Sequence, residues 1–354
     1  IEIDAVTYNL GNTIQNANSN NLNATFNMDT LYKYLGLTKA KSGGASRPKP
    51  AAPKPGEKIV KTNTPQATKN SPFMDGFIGV LTSVKNVQMN YTYNSGTVLP
   101  GYTPSIGFLG SSRPSLGFIF GSQDDVRYEA AKNGWLTNYP DFNQNFTQVT
   151  NKIFKTTANV DLFPDLKIDL SLDRSYSENF SEQYDVTDGQ YNARSPYSTG
   201  IFSISAVLIK TSFSTSNETA SAAFDDFRQN RLTVANRLAS QRGIDVTNPV
   251  NLDAEGYPLG YGKNSQQVLL PSFLAAYSGQ SADKISTGVF RNVPLPNWTV
   301  KYTGLMRYQW FKDNFKRFSL QHGYRASYNV NAFRSNLNAA PVDANGNFFA
   351  SKIV

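Results

Sequence analysis

Cysteine is absent from this 354-residue chain, which excludes disulfides, thiolate metal sites and cysteine nucleophiles. The single histidine, His322, leaves no imidazole set for a zinc centre and no partnered Ser-His-Asp triad. No run approaches about 18 consecutive apolar residues, so no helix is expected to cross a membrane. Walker and dinucleotide-binding fingerprints are missing as well. Asp124-Asp125 and Asp225-Asp226 fall in expected helices, where adjacent side chains diverge and cannot flank one glycosidic bond. Asp343 to Asn347 matches a calcium loop poorly, because its glycine stands fourth and no glutamate closes it. Asn345-Gly346 more simply predicts a tight hairpin turn. No catalytic, cofactor-binding or metal-binding residue is singled out, and no enzymatic activity is expected.

What is present is alternation. From Leu166 to Phe180, Leu166, Ile168, Leu170, Leu172, Tyr176 and Phe180 take one parity, and Lys167, Asp169, Ser171, Asp173, Ser175, Ser177 and Asn179 the other. Successive side chains of a strand point to opposite faces, so this run has one apolar and one polar face. Soluble strands typically run about 5–6 residues, whereas a strand crossing a bilayer needs about 9–11. The pattern recurs at 21–28 (Leu22, Ala24, Phe26, Met28), at 86–94 (Val87, Met89, Tyr91, Tyr93) and toward the end of 146–162 (Phe154, Ala158, Val160, Leu162). It recurs again at 318–332, with Phe318, Leu320, Tyr324, Ala326, Tyr328, Val330 and Ala332 on one face. His322 shares that apolar face and reads as an interfacial ring among aromatics. Polar faces of Asn, Thr, Ser and Lys suit a water-filled lumen, and Lys167, Asp169, Asp173, Arg325 and Asn329 are expected to line it.

Composition agrees. Hydrophobic residues make up only 39%, yet aromatics reach 13%, with 19 Tyr and 23 Phe. Few aliphatics with many aromatics fit a thin lipid band edged by aromatic girdles. Mean hydropathy is -0.42, a value that half-polar strands explain without making the chain soluble. The net charge of +8 is partly concentrated in one linker, so no nucleic-acid partner is expected.

The fold expected is an all-β membrane protein, its antiparallel strands forming part of a very large transmembrane barrel with helical insertions in long loops. Residues 1–38 carry a strand and a short periplasmic helix N-capped at Asp29, and 39–72 form a disordered Pro/Lys-rich linker. Strands with a long extracellular loop occupy 73–214, starting with a short helix at 73–84 and including another at about 123–135. A helical insertion at the barrel mouth fills 215–295, with its main helix at Glu218 to Gln241 stopped by Gly243. Strands return in 296–354. Pro164 and Asp165 make the clearest hairpin turn, and 305–315 a second connection on the same side. Strand parity then leaves no place for a membrane strand at 201–213, which is assigned to a lumenal or extracellular element. The chain opens at Ile1-Glu2-Ile3-Asp4 and ends at Ser351-Lys352-Ile353-Val354, and is expected to be a piece of a larger polypeptide.

Seven stretches carry a family resemblance. They are Phe26-Asn-Met-Asp-Thr-Leu-Tyr32, Leu99-Pro-Gly-Tyr-Thr-Pro104, Pro114-Ser-Leu-Gly-Phe-Ile-Phe-Gly121 and Leu162-Phe-Pro-Asp-Leu-Lys-Ile-Asp169. Ala223-Phe-Asp-Asp-Phe-Arg-Gln-Asn-Arg-Leu-Thr-Val-Ala-Asn-Arg237, Pro294-Leu-Pro-Asn-Trp-Thr-Val300 and Ser319-Leu-Gln-His-Gly-Tyr-Arg-Ala-Ser-Tyr328 complete the set. In this order they resemble the C-terminal part of the SprA (Sov) family, the outer-membrane translocons of the bacterial type 9 secretion system. The resemblance covers most of the chain outside the linker. It implies a segment of a wide barrel that exports folded proteins to the cell surface, gliding adhesins among them, with extracellular loops and periplasmic turns. Implied partners are the remainder of the same barrel chain, a small cargo-shuttle barrel protein at a lateral opening, a periplasmic plug protein, secreted cargo and outer-membrane lipid. The competing expectation is a soluble all-β surface module that binds a protein or glycan.

Overall fold

Long runs of strict alternation favour extended backbone, and here they line up edge to edge. The computed structural model describes residues 2–3, 6–37, 79–80, 82–105 and 113–336. The expected linker at 39–72, most of the expected helix at 73–84 and the Asn345-Gly346 turn lie outside them. A minimal pair, β1 (Glu2–Ile3) and β2 (Val6–Thr7), precedes one antiparallel sheet of eight strands. Its first four are β3 (Asn12–Asn27), β4 (Val84–Tyr102), β5 (Asn145–Phe163) and β6 (Leu166–Thr187), paired in that order. The rest are β7 (Gln190–Ser205), β8 (Asn297–Tyr302), β9 (Leu320–Tyr324) and β10 (Ser327–Asn336). The sheet does not close on itself: β3 at one side and β9 with β10 at the other are its edges.

β6 divides its far edge between two partners. Residues Arg174 to Thr187 pair with β7, and Leu166 to Ser171 pair with β8. β10 pairs with β7 and β9 with β8. Thus β7 and β8 are two halves of one crossing, and β9 and β10 two halves of the next, so eight strands make six crossings.

This corrects the reading of 201–213. Residues 201–205 end β7, and 206–213, including the consecutive Val207, Leu208 and Ile209, fall past the strand, where Ile209–Ser212 forms a short helix. The parity argument survives, because β7 adds half a crossing rather than a whole one. Short turns also occur at both ends of the sheet, not one. Pro164-Asp165 joins β5 to β6, and Asp188-Gly189 joins β6 to β7 with φ of 52° and 75°, as a two-residue hairpin requires.

The helices differ in detail from expectation. Helix Met28–Tyr34 is capped by Asn27, whose side chain accepts from Thr30 N at 3.2 Å, so Asp29 lies inside the first turn. The helix expected at 123–135 shrinks to Arg127–Lys132, which leaves Asp124 and Asp125 ahead of it, while Leu116–Ile119 forms a turn of its own. Helix Ala222–Gln241 begins at its Ser221 cap, later than expected, and Gly243 follows it at φ 76°. Asp225 and Asp226 lie in it, exposed. A second long helix, Gln266–Ser278, packs against it.

Two caps cover the Gly189 end of one sheet face. The first, from 113–142, buries Phe118, Val126, Ala130 and Leu136 against Leu99, Phe146, Tyr184 and Tyr191 of the strands. Arg127 anchors it. Its guanidinium pairs with Glu182 and with Asp125 at 2.8 Å, and sits 4.4 Å from the Phe146 ring centroid. Burial opposes the charge on Asp125, but hydrogen bonds and charge from Arg127 together outweigh it and hold that carboxyl below the ordinary range. The second cap, 206–296, buries Val234, Leu274, Ala275 and Ile285 against Phe202, Ile204 and Tyr328. Phe290 wedges between Tyr176, Phe202 and Phe333 at 5.4, 5.3 and 4.9 Å.

Two substitutions test this packing. Glu182 is 2% exposed, so Arg127→Met strands a buried carboxylate and is expected to cost about 3–5 kcal/mol, read as faster amide exchange across 126–137. Gly200 pairs with Phe333, whose ring fills the place of a side chain, and a Cβ there would stand 2.0 Å from the Ser177 carbonyl oxygen. Gly200→Ala is therefore expected to cost about 1–3 kcal/mol and to loosen the second cap in the same measurement.

Candidate functional site: an uncovered apolar band backed by a polar face

Register converts the alternation of each strand into rows that run across the sheet. Phe26, Val87, Ala158, Leu170, Trp298 and Tyr324 are successive partners, one from each crossing, on one face. Below them lie Val160, Ile168, Val300 and His322, then Leu166, Tyr302 and Leu320 at the Pro164 end. Above lie Ala24, Met89, Thr156 and Leu172. From Leu166 to Leu172 the band rises roughly 20 Å along the strand at about 3.3 Å per residue.

Among the described residues no cap packs over this band, although Val160 within it is buried and Leu166, Leu170 and Leu172 are half-buried between their neighbours. Leu22 and Phe26 are 54% and 50% exposed, and Leu166, Ile168, Leu170 and Leu172 belong to none of the buried clusters. Fully burying one Leu or Phe side chain is worth about 1.5–3 kcal/mol, against a typical net stability of about 5–15 kcal/mol. A band of this size left to water would forfeit much of that margin. The next row up, Leu22, Tyr91, Phe154, Arg174, Ile204 and Tyr328, marks the change, since Ile204 and Tyr328 lie beneath the second cap.

Behind the band the reverse face is polar, and farther up it also carries Ile153, Val149 and Ile201. Asn27, Asn86, Asn159, Asp169 and Thr299 form one row, and Asn23, Asn90, Lys155 and Asp173 another. Cross-strand hydrogen bonds run along it: Asn159 Nδ2 donates to Asp169 Oδ1 at 2.6 Å and Thr92 Oγ1 to Asn21 Oδ1 at 2.8 Å. Of the residues expected to share a wet surface, Lys167, Asp169, Asp173 and Asn329 do so and are exposed. Arg325 is exposed in the two-residue gap between β9 and β10. Both caps pack on the apolar side, so they leave the polar face open instead of lying over it.

His322 is exposed on the apolar face, accepting at Nδ1 from Trp298 Nε1 at 3.4 Å, while Trp298 stacks on Tyr324 at 4.4 Å. The sequence reading missed the character of the 303–319 connection. Trp310, Phe311, Phe315 and Phe318 pack on one another at 4.9–6.0 Å, with Trp310 63% exposed. Arg307, Lys312, Lys316 and Arg317, all exposed, are interspersed with these rings in sequence, and Arg307 pairs with Asp165 of the hairpin at 2.5 Å. Spacing gave no warning, because the rings gather through a short helix, Gln309–Asn314, and not through any strand period.

Among the described residues no cluster of three or more His, Cys, Asp or Glu side chains is placed to hold a metal ion, and no helix is long and apolar enough to cross a membrane. No protein-family model matches the chain, and no curated protein matches it.

Proposed function

We propose that this chain is a segment of the wall of a large outer-membrane barrel, with the apolar band toward lipid and the polar face toward a water-filled lumen. One observation carries the reading: a continuous apolar band crosses all six strand positions at one height, outside both caps, with an unbroken polar surface behind it. The aromatic and cationic connection at the Pro164 end is the composition expected of a segment at the lipid headgroups. Tyr91, Tyr93, Lys152 and Arg174 at the upper margin supply a matching girdle.

With this orientation the Pro164 end is periplasmic and the capped end extracellular. The caps then flank the outside of the wall above the bilayer, and the lumen is left wide and wet. Such a conduit suits folded cargo, as the resemblance to the SprA (Sov) translocons implies. Its partners would be the rest of the barrel chain, the shuttle barrel, the plug protein and exported proteins. Its work is passage, not catalysis.

Two measurements test the proposal. Leu170→Arg, near the middle of the band, is expected to cost about 2–4 kcal/mol in a lipid-facing position. A cost within about 0.5 kcal/mol, as at an exposed position in water, together with release of the protein by carbonate or high-salt washing, would favour the soluble binding module instead. Six crossings are fewer than the eight of the smallest common barrel, and open strand edges in lipid cost several kcal/mol per unpaired group. Residues 1–354 expressed alone are therefore expected not to yield a heat-resistant, membrane-inserted monomer. Recovery of one would overturn the partial-wall reading.

A further inference from the structure

Where the second cap returns to the sheet, a cavity of about 190 Å³ opens between Ser278 at the end of helix Gln266–Ser278, Arg291 on the return segment and Tyr328 of β10. Its remaining wall is largely apolar, with Leu274 and Val293 among its residues. Four buried polar atoms belong to the side chains that line it: Arg291 Nε and Nη2, Tyr328 Oη and Ser278 Oγ. Among the described residues none of the four has a hydrogen-bond partner. Arg291 enters no ion pair there either.

That is an expensive arrangement. An unpaired buried charge and orphaned buried donors both destabilise the fold unless something fills the site and pairs with them. Nε and Nη2 are also the two nitrogens on one edge of the guanidinium, the fork that grips two oxygens of a planar or tetrahedral oxyanion side-on. Burial pulls the Arg291 pKa below its ordinary value, and the opposing influence comes from Tyr328, not from a carboxylate. Backbone ties hold the site in place, since Arg174 Nε donates to the Arg291 carbonyl at 3.0 Å and Leu295 N to the Ser205 carbonyl at 3.0 Å.

We infer that this cavity binds one oxyanion, a phosphate or carboxylate group, held side-on by the Arg291 fork with the Tyr328 and Ser278 hydroxyls completing its shell. The anion supplies the missing countercharge where the cap meets the sheet, so binding clamps the 206–296 insertion to β7 and β10. This holds whether or not the apolar band faces lipid.

The test is calorimetric titration of inorganic phosphate and, separately, sodium acetate into the protein as its cell makes it, purified in a zwitterionic detergent. Saturable binding of either anion is expected, weakened at least tenfold by Arg291→Met. Arg291→Lys keeps the charge but loses the fork, and should recover only a small part of the affinity. Should Arg291→Met fail to fold, Tyr328→Phe and Ser278→Ala each remove one hydroxyl and should weaken binding several-fold. Absence of saturable binding for both anions would overturn the inference, as would affinities unchanged in both hydroxyl variants. If phosphate binds, the same titration in phosphatidylglycerol nanodiscs shows whether a lipid headgroup is the source: a competing headgroup suppresses the phosphate signal, and an undiminished signal assigns the site to the free anion.

Discussion

A strand that keeps one phase of alternation for 22 residues makes a demand no single environment can meet. β6 extends for about 70 Å at roughly 3.3 Å per residue, while a bilayer core is about 30 Å thick. Its apolar face therefore continues past any lipid that could cover it. Leu166, Ile168, Leu170 and Leu172 stay half-buried outside the caps, and from Arg174 to Val186 the same face is finished by protein. The two caps are the consequence. Their cores are built on Tyr176, Phe180, Tyr184 and Val186, the direct continuation of the leucine row. The polar face makes no such demand, and nothing described packs over it.

The break between β7 and β8 follows from the same change of environment. The chain leaves the sheet at Ser205, level with the row where uncapped band gives way to buried core, and returns at Asn297 after the insertion. The gap is knitted by side chains that replace ladder bonds. Asp173 N donates to Ser205 Oγ at 3.1 Å, and Ala326 N donates to Asn297 Oδ1 at 2.9 Å. Ala206 N bonds the Ala326 carbonyl at 3.0 Å. Ser205 and Asn297 are both buried, so small and amide side chains at these two positions let a large insertion enter mid-crossing with its backbone groups satisfied.

Much of this was legible where period alone decides structure. The Leu166 row, its partners at 87–93 and 154–160, the Pro164 hairpin and the Gly243 stop follow from alternation and turn chemistry. What escaped reading was broken period. β7 carries a bulge at Ser195-Pro196, two residues opposite Glu182 with Ser195 at φ 48°, so its alternation changes phase midway. β10 does the same at Ala332, φ 55°, which hands the buried face from Val330 to Phe333. Asp188-Gly189 was a readable hairpin signal, hidden because β7 itself was unseen. Helix Gln266–Ser278 contains Pro271 and is apolar on most sides, a pattern without amphipathic contrast. The oxyanion cavity had no sequence signal, since Ser278, Arg291 and Tyr328 come together only through the return of the cap.

The edges bear most directly on what surrounds this sheet. Soluble proteins blunt an exposed edge strand with charge, proline or brevity. β3 does none of these: its 16 residues, Asn12 to Asn27, include no charged side chain and no proline, and among the described residues only β4 pairs with it in the sheet. The other edge is blunted by the brevity of the five-residue β9 and, in β10, by a bulge and Arg334. An uncapped apolar band could be met by lipid and a bare edge by water, but lipid and water cannot both meet the same residues of β3. Leu22, Ala24 and Phe26 place its lower half in the band, where, with the band toward lipid as proposed, backbone groups on the open side need partners in another strand. Under the proposed lipid-facing reading, band and edge together call for a longer sheet, and that demand rests on the spacing of side chains in β3.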